Sequence, residues 1–465
     1  MINREEFKMI PLFDEIKPVP TFEDAIKAAS FGKFNYFLLI VAGISFMAVV
    51  VETSAINIVA FSAEKELSFT MYEKSFLMSA GFVGIIIGNL PLGYLSDIYG
   101  RVLVLKIILS IASISSFLSV FSVNTMMLVL FRFLTGFALS GCQSSVFTLV
   151  SEYNCEASKS KQLALLAAFL PIGLIYANGM ATVILQSFSW RALLFVYLLP
   201  SLVALFGLFA VPESPKFQFH IGKLEECMNT LKKMYAINTG DPTLKFPCKL
   251  FQKQDSDTTD NNINIKRLFQ KPLLLQTILL CSIAFIMSMA GGGLYMWTPT
   301  VFNAIDYFQN KTVCEALIDL DEKVTPNSSS FLMMMISMSF LVFFTLTSSV
   351  IKKVGKKLVL VFWFLVSISS CGLLYFVANI SVVVMLFSLS IQSANLIGIV
   401  NGIAADYFPT GINAMAVSLV TIFSRLGVSV GSNIVGYFII QSCENLILGF
   451  CGILTIAVFL LILLK

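Results

Sequence analysis

The chain has 465 residues, 57% of them hydrophobic and only 12% charged, with 43 phenylalanines, a mean hydropathy of +0.86 and a formal net charge of +4. Soluble chains carry about 25% charged residues, and no globular core of this length could hide so much apolar surface. The composition therefore excludes a soluble enzyme, a nucleic-acid binder and a disordered scaffold, and indicates a polytopic membrane protein whose first partner is the lipid bilayer.

Residues 1–35 form a polar tail with Glu5, Glu6, Lys8 and Asp14, in which no cleavable signal peptide is recognisable. Twelve apolar runs follow, each long enough to cross about 30 Å of hydrocarbon. They fall near 36–60, 75–95, 102–122, 125–150, 162–186, 191–211, 273–300, 329–351, 358–378, 380–403, 412–440 and 445–464. The runs are continuous, not alternating, which argues against a β-barrel and leaves helices as the way to satisfy the backbone in lipid. The expected fold is an all-α integral membrane protein of twelve helices in two six-helix halves, 36–211 and 272–465, joined by a linker at 212–271. In the linker, 222–235 predicts an amphipathic helix with Leu224, Met228, Leu231 and Tyr235 on one face, and Gln252–Asn264 is a polar stretch. Gly100-Arg101 after span 2 and Gly355-Lys356 after span 8, 255 residues apart, form a weak internal repeat.

With the amino terminus on the cytoplasmic side, 23 of the 31 Lys and Arg residues fall in cytoplasmic segments, as the positive-inside rule requires. Both termini are then cytoplasmic, in a plasma or vesicle membrane. The loop at 301–328 faces outward and carries two candidate glycosylation sites, Asn310 and Asn327, each in an Asn-x-Ser/Thr triplet.

Between spans 2 and 3 the chain reads Gly93-Tyr-Leu-Ser-Asp97-Ile-Tyr-Gly100-Arg101. Gly100 permits a very tight turn, and Asp97 sits where a carboxylate can face a helix amino terminus or a basic residue. This segment resembles the G-x-x-x-D-x-x-G-R signature of the major facilitator superfamily, in which the loop acts as a conformational latch. The resemblance implies that role for Gly93, Asp97, Gly100 and Arg101, although Ile98 and Val102 replace further basic residues of the signature and Lys352 stands where the second copy would have Asp. Arg132-Phe-Leu-Thr-Gly136, Ser151-Glu152, Trp190-Arg191, Pro212-Glu213-Ser214-Pro215 and Phe408-Pro409-Thr410 resemble the sugar and organic-ion branch. Gly32-Lys33-Phe34-Asn35-Tyr36, Ser62-Ala63-Glu64-Lys65 and Gly222-Lys223-Leu224-Glu225-Glu226 are similar to the synaptic vesicle glycoprotein 2 family. That family's vertebrate members carry a long lumenal domain between spans 7 and 8, which the short 301–328 loop does not match.

An ionisable group in hydrocarbon costs at least ~2.5–3.5 kcal/mol, so each is a functional candidate. Glu52 in span 1, Arg132 in span 4 and Arg425 in span 11 stand at depths that would let them meet in one layer of a central cavity. Glu52 and Arg132 read either as a pair that locks helices together or as a proton-coupling site. Arg425 has no evident acidic neighbour in its own half, and an anionic ligand would relieve its guanidinium. It also follows Pro409 by sixteen residues, where the resemblance implies Arg in organic-anion carriers and Asp in cation carriers. Gln143 in span 4 and Gln392 and Asn395 in span 10 complete the candidate substrate and coupling residues, and Gly291-Gly292-Gly293 in span 7 could bend its helix nearby.

The single histidine, His220, lies in the linker, so no histidine metal site or catalytic triad can be assembled, and no cofactor is expected. Cys314 and Cys443 both fall on the outer side and could pair, though a reduced pair is the simpler expectation. Tyr295 and Trp297 read as interfacial belt. The chain is expected to carry a small organic solute, with an anion favoured, by alternating access. It lacks an ATP-binding motif, so uphill transport would draw on a proton or another coupling ion. The alternatives are a cation or sugar carrier, or a non-transporting membrane regulator or receptor.

Overall fold

In a computed structural model, the described residues are 22–240, 246–247, 268–271, 273–308, 311–318, 329–408 and 410–464. Asn310, Asn327 and Gln252–Asn264 lie outside them. Among the described residues, twelve helices are long and apolar enough to cross a membrane: Lys33–Ser62, Met71–Tyr99, Arg101–Ser119, Thr125–Glu152, Glu156–Ile184 and Trp190–Ala210 (spans 1–6), then Leu274–Tyr307, Leu332–Ile351, Lys356–Leu373, Ile380–Tyr407, Met415–Ile439 and Cys443–Leu463 (spans 7–12).

Span starts are set by short polar residues just outside the apolar runs. Thr70 and Glu73 form a reciprocal capping box at span 2, Asn124 accepts from the Met127 amide at span 4, and Asn379 accepts from the Ser381 and Val382 amides at span 10. Gly100 and Gly355 take φ of +106° and +93°, so the weak sequence repeat is one interhelical turn used twice. Four of the described spans are irregular near their middles, span 5 breaking at Ala168 between Glu156–Ala167 and Phe169–Ile184. Span 4 breaks at Ser140-Gly141, span 7 holds a π turn at Ser288–Gly292, and span 10 a 3-10 turn at Gln392–Leu396. The π turn includes two residues of the glycine triplet that suggested a bend.

The two halves meet through span 2 against span 11 and span 5 against span 8. Toward the face bearing the short loops, one apolar core runs across both halves and includes Ala60, Leu77, Trp297, Val301 and Val435. Toward the linker face, the second half has a separate core built on Leu280, Ile283, Phe364, Val400 and Ala404. The halves are thus joined on the loop face and part toward the linker face.

A layer of helices covers the linker face of the first half: Phe22–Ala28, Pro215–His220 and Leu224–Thr239. The last is the predicted amphipathic helix, but its buried residues are Cys227, Thr230, Leu231 and Met234, with Leu224 44% exposed. The face is rotated because its support is the Pro215–His220 turn, where Thr230 donates to Gln218. Burial pushes the Cys227 thiol up to about 12. Asn238 ties this layer to span 1. Its side chain accepts from the Phe34 amide at 2.9 Å and donates to Ala29 and Ser30 carbonyls and to Asn35 Oδ1.

On the loop face, Glu66 receives hydrogen bonds from Arg191 and from Trp190 Nε1, which hold its carboxyl below the ordinary 4.5. That stabilisation is complete at neutral pH and is lost as pH falls through the lowered value. Cys314 and Cys443 form a disulfide with Cα atoms 5.5 Å apart, correcting the expectation of a reduced pair. The short helix Val313–Ile318 packs against spans 7 and 11, and this brings the two cysteines together across 129 residues of sequence.

Asn238→Ala removes an acceptor and three donated bonds at the entry to span 1. Its expected cost is about 1–3 kcal/mol, read as a lower midpoint in thermal unfolding of the detergent-purified protein.

Candidate functional site

Glu52 and Arg132 meet inside the first half. Arg132 Nη1 lies 2.7 Å from Glu52 Oε2, Ser116 donates to Glu52 Oε1 at 2.6 Å, and Arg132 Nη2 donates to Ser119 Oγ at 2.6 Å. Both charged side chains are at most 2% exposed. Serines 116 and 119 stand one turn apart on span 3, so that helix completes a pair made by spans 1 and 4. Burying both charges is expensive, and only full hydrogen bonding offsets it. Here both carboxylate oxygens are occupied, while Arg132 Nε has no partner among the described residues. Beside the pair is a cavity of about 20 Å³ lined by Thr53, Met78, Gly81 and Thr135, large enough for about one water. Spans 2 and 4 approach closely there, since a Cβ on Gly136 would lie 2.1 Å from the Gly81 carbonyl oxygen.

Arg425 does not join that pair. It lies near the middle of the helix Thr410–Gln441, half-buried and with neither a hydrogen bond nor an ion pair among the described residues. Its neighbours on span 11 are engaged: Ser424 with Ser288 of span 7 at 2.7 Å, and Thr421 with Asn401 of span 10 at 3.2 Å. Gly427 and Gly431 admit the span 7 backbone at Phe285 and Met289, as close packing predicts. Gly436, three turns beyond Arg425 and on nearly the same helical stripe, lies against both Ser75 of span 2 and Trp297 of span 7.

Gln392 and Asn395 are brought together in the 3-10 turn of span 10. Gln392 is 2% exposed, accepts from Asn395 Nδ2 at 3.1 Å and donates to Ser339 of span 8 at 3.4 Å. Gln143 is half-buried just past the break in span 4, and its amide makes no hydrogen bond among the described residues. The expected single layer is thus three groups: an internal ion pair, a polar turn, and a lone guanidinium.

At the linker face, Asp97, Gly100 and Arg101 of the four predicted latch residues fall in one compact network. Arg101 Nη2 lies 3.1 Å from Asp97 and 3.2 Å from Glu152, and its guanidinium covers the Phe217 ring. Asp97 therefore faces a basic residue, while the helix amino terminus is taken by Glu213, which accepts from the Val102 and Leu103 amides. Tyr153 donates to the Pro212 and Glu213 carbonyls, and burial raises its hydroxyl pKa well above the ordinary value. Gly100 serves this arrangement twice, because its φ is left-handed and a Cβ there would stand 2.6 Å from Glu213 Oε2. Gly93, by contrast, has nothing within 4 Å. In the second half, Lys356 pairs with Asp406 at 2.6 Å and donates to the Gly402 carbonyl. Lys356 and Asp406 occupy the places of Arg101 and Glu152, so the second turn keeps an ion pair although Lys352 stands where the first has Asp97.

Sequence reasoning missed three participants. Ser116 and Ser119 were marked only by their helical spacing in an apolar run, and Glu213 only by its motif.

Two substitutions separate these roles from simple burial. Gly100→Ala is expected to cost about 1–3 kcal/mol through backbone strain and collision with Glu213, whereas Gly93→Ala should leave the thermal midpoint essentially unchanged. Arg132→Ala should cost about 3–5 kcal/mol by stranding Glu52, and in the same thermal assay Glu52→Leu/Arg132→Leu should recover most of it.

A family model described as Major Facilitator Superfamily matches residues 37–311. Among relatives, the synaptic vesicle 2-related protein of Pongo abelii is 27% identical over 87% of this chain and 73% of its own length. The Rattus norvegicus synaptic vesicle glycoprotein 2C is 28% identical over 64% of this chain and 47% of its own. The Bos taurus synaptic vesicle 2-related protein is 27% identical over 76% of this chain. The chain spans 64% of that bovine relative, and about half to two thirds of the length of several such relatives. The solved D-xylose-proton symporter superposes with a TM-score of 0.67 at 14% identity, over 92% of this chain and 97% of that one. The nucleoside transporter NupG, in a mutant form, superposes at 0.64 and 14% identity over 92% and 99%. With the family model covering more than half of its residues, this twelve-helix chain belongs to the major facilitator superfamily.

Proposed function

We propose that the chain is a secondary-active or facilitative transporter that moves a small organic anion across a membrane by alternating access. The observation that carries this reading is Arg425: a half-buried guanidinium near the middle of a membrane helix, with no partner among the described residues. A carboxylate, sulfonate or phosphate on the solute would supply the missing countercharge in a bidentate contact. Gln143, Gln392 and Asn395 would add neutral polar contacts. The division of the apolar core supports a cleft open to the linker face, one of the two states alternating access requires.

The linker face is the cytoplasmic one in this reading. Its segments hold most of the Lys and Arg, and the disulfide lies on the opposite face, where an oxidising compartment would sustain it. The Glu52–Arg132 pair serves as scaffold, because both carboxylate oxygens are already held. Transport surviving in a folded Glu52→Leu/Arg132→Leu protein agrees with that role, and loss of pH-dependent flux there would instead assign the pair to proton coupling.

The purified chain should be stabilised by at least one member of a panel of organic anions. The expected gain is about 2.7 kcal/mol at a hundredfold excess over the dissociation constant. Arg425→Ala should abolish that shift and lower flux into proteoliposomes at least tenfold, with Arg425→Lys intermediate. Stabilisation by cations or sugars alone would overturn the anion assignment. A protein shifted by no solute class and inert in flux would favour a regulatory or receptor-like membrane protein.

A further inference from the structure

Lys74 is the most deeply buried lysine described, 1% exposed near the loop-face end of span 2. A lysine there must be neutralised and enclosed, and three groups do so. Glu64, on the short helix Glu64–Leu67 after span 1, accepts from Nζ at 2.6 Å while remaining 33% exposed. The ammonium lies over the Phe61 ring at 5.3 Å and over the Trp297 ring at 5.4 Å, within the range of a cation–π contact.

The membership of this cage matters. Lys74, Glu64 and Phe61 belong to the first half, whereas Trp297 belongs to span 7 of the second. Trp297 is fully buried, which corrects its expected place in an interfacial belt. Its Nε1 donates to the Ser432 carbonyl at 2.8 Å, so the indole is anchored to span 11 and moves with the second half. The plane along which the halves would separate therefore passes between the ammonium and the indole. Neighbouring contacts cross the same plane: Asn57 to the Tyr295 carbonyl, Asn178 to Ser337 at 2.6 Å, and the Tyr72 and Tyr437 rings 6.4 Å apart. Among these crossing contacts, the one at Lys74 carries a charge.

We infer that Lys74 is the latch of the loop-face gate, holding the halves together through its cation–π contact with Trp297 and releasing them by hydrating in company with Glu64. The inference rests on the alternating-access reading. In the closed arrangement the ammonium is dry and caged by two rings. When the halves part, it loses the Trp297 face, but Glu64 is already partly in water and keeps the countercharge beside it. The ion pair thus has an acceptable environment in both states, whereas a lysine caged by two fixed carboxylates would have one only in the closed state.

The test reads the gate without measuring flux, so it can fail while transport stands, or succeed in a protein that transports nothing. In a Trp190→Phe/Trp363→Phe background, Trp297 is the single tryptophan and acrylamide quenching of its emission reports exposure. The detergent-purified full chain should be weakly quenched. Lys74→Met should raise the quenching constant at least threefold while retaining cooperative unfolding, and Lys74→Arg, which keeps a cation over the indole, should stay near the starting value. Quenching unchanged in a folded Lys74→Met protein, or raised equally by Lys74→Arg, overturns the inference. Should Lys74→Met fail to fold, Glu64→Gln carries the same test: freed of its countercharge the ammonium should leave the cage for water and raise quenching, and an unchanged constant overturns it.

Discussion

A charge within hydrocarbon has to be paired, hydrated or met by a ligand, and much of this molecule is arranged around that requirement. Glu52 and Arg132 satisfy each other, with Ser116 and Ser119 taking the remaining directions. Lys74 is met by one carboxylate and two aromatic faces. Arg425 alone of these is met by nothing among the described residues. The first pair fastens helices within a half, the second group spans the two halves, and the third leaves a requirement that a solute could fill. The same constraint acts on the backbone: the π turn of span 7 and the 3-10 turn of span 10 lie against each other inside protein, where irregular hydrogen bonding is tolerated.

Symmetry between the halves is a matter of mechanics more than of residue identity. Each uses a left-handed glycine to turn between its second and third helices, and each follows it with a cation reaching an acidic residue near the end of its fourth helix: Arg101 to Glu152, and Lys356 to Asp406. The first half adds Asp97, Glu213 and the helices of the linker layer. Asn238 fixes that layer to span 1, so on the linker face the first half is the more heavily braced of the two.

The fold was legible because a bilayer imposes a length and a composition on every helix, and twelve such runs stand out from the polar segments. Helix starts were legible where a capping residue such as Asn379 interrupts the apolar run. Partnership was harder to read. Depth along a helix suggested that Glu52, Arg132 and Arg425 share a layer, but depth does not give azimuth, and the first two turn toward span 3 while the third does not. Trp297 has the residue type and position of a belt aromatic, and only the packing of span 11 against span 7 encloses it. The amphipathic linker helix was found at its place but rotated, since its support comes from the Pro215–His220 turn and not from the membrane surface. Cys314 and Cys443 were visible as a possible pair, and what decides it is a short helix in the loop that apolar-run analysis does not detect.

That disulfide also alters the covalent topology of the second half. Its ring encloses spans 8–11, together with the loop that precedes them, within 129 residues of sequence. A single proteolytic cut anywhere between Cys314 and Cys443 would leave both fragments in one molecule, with the same mass until reduction apart from the water added at the cut. The second half can therefore be nicked in its longest loop without being disassembled, whereas a cut in the linker would leave the two halves held together by packing alone.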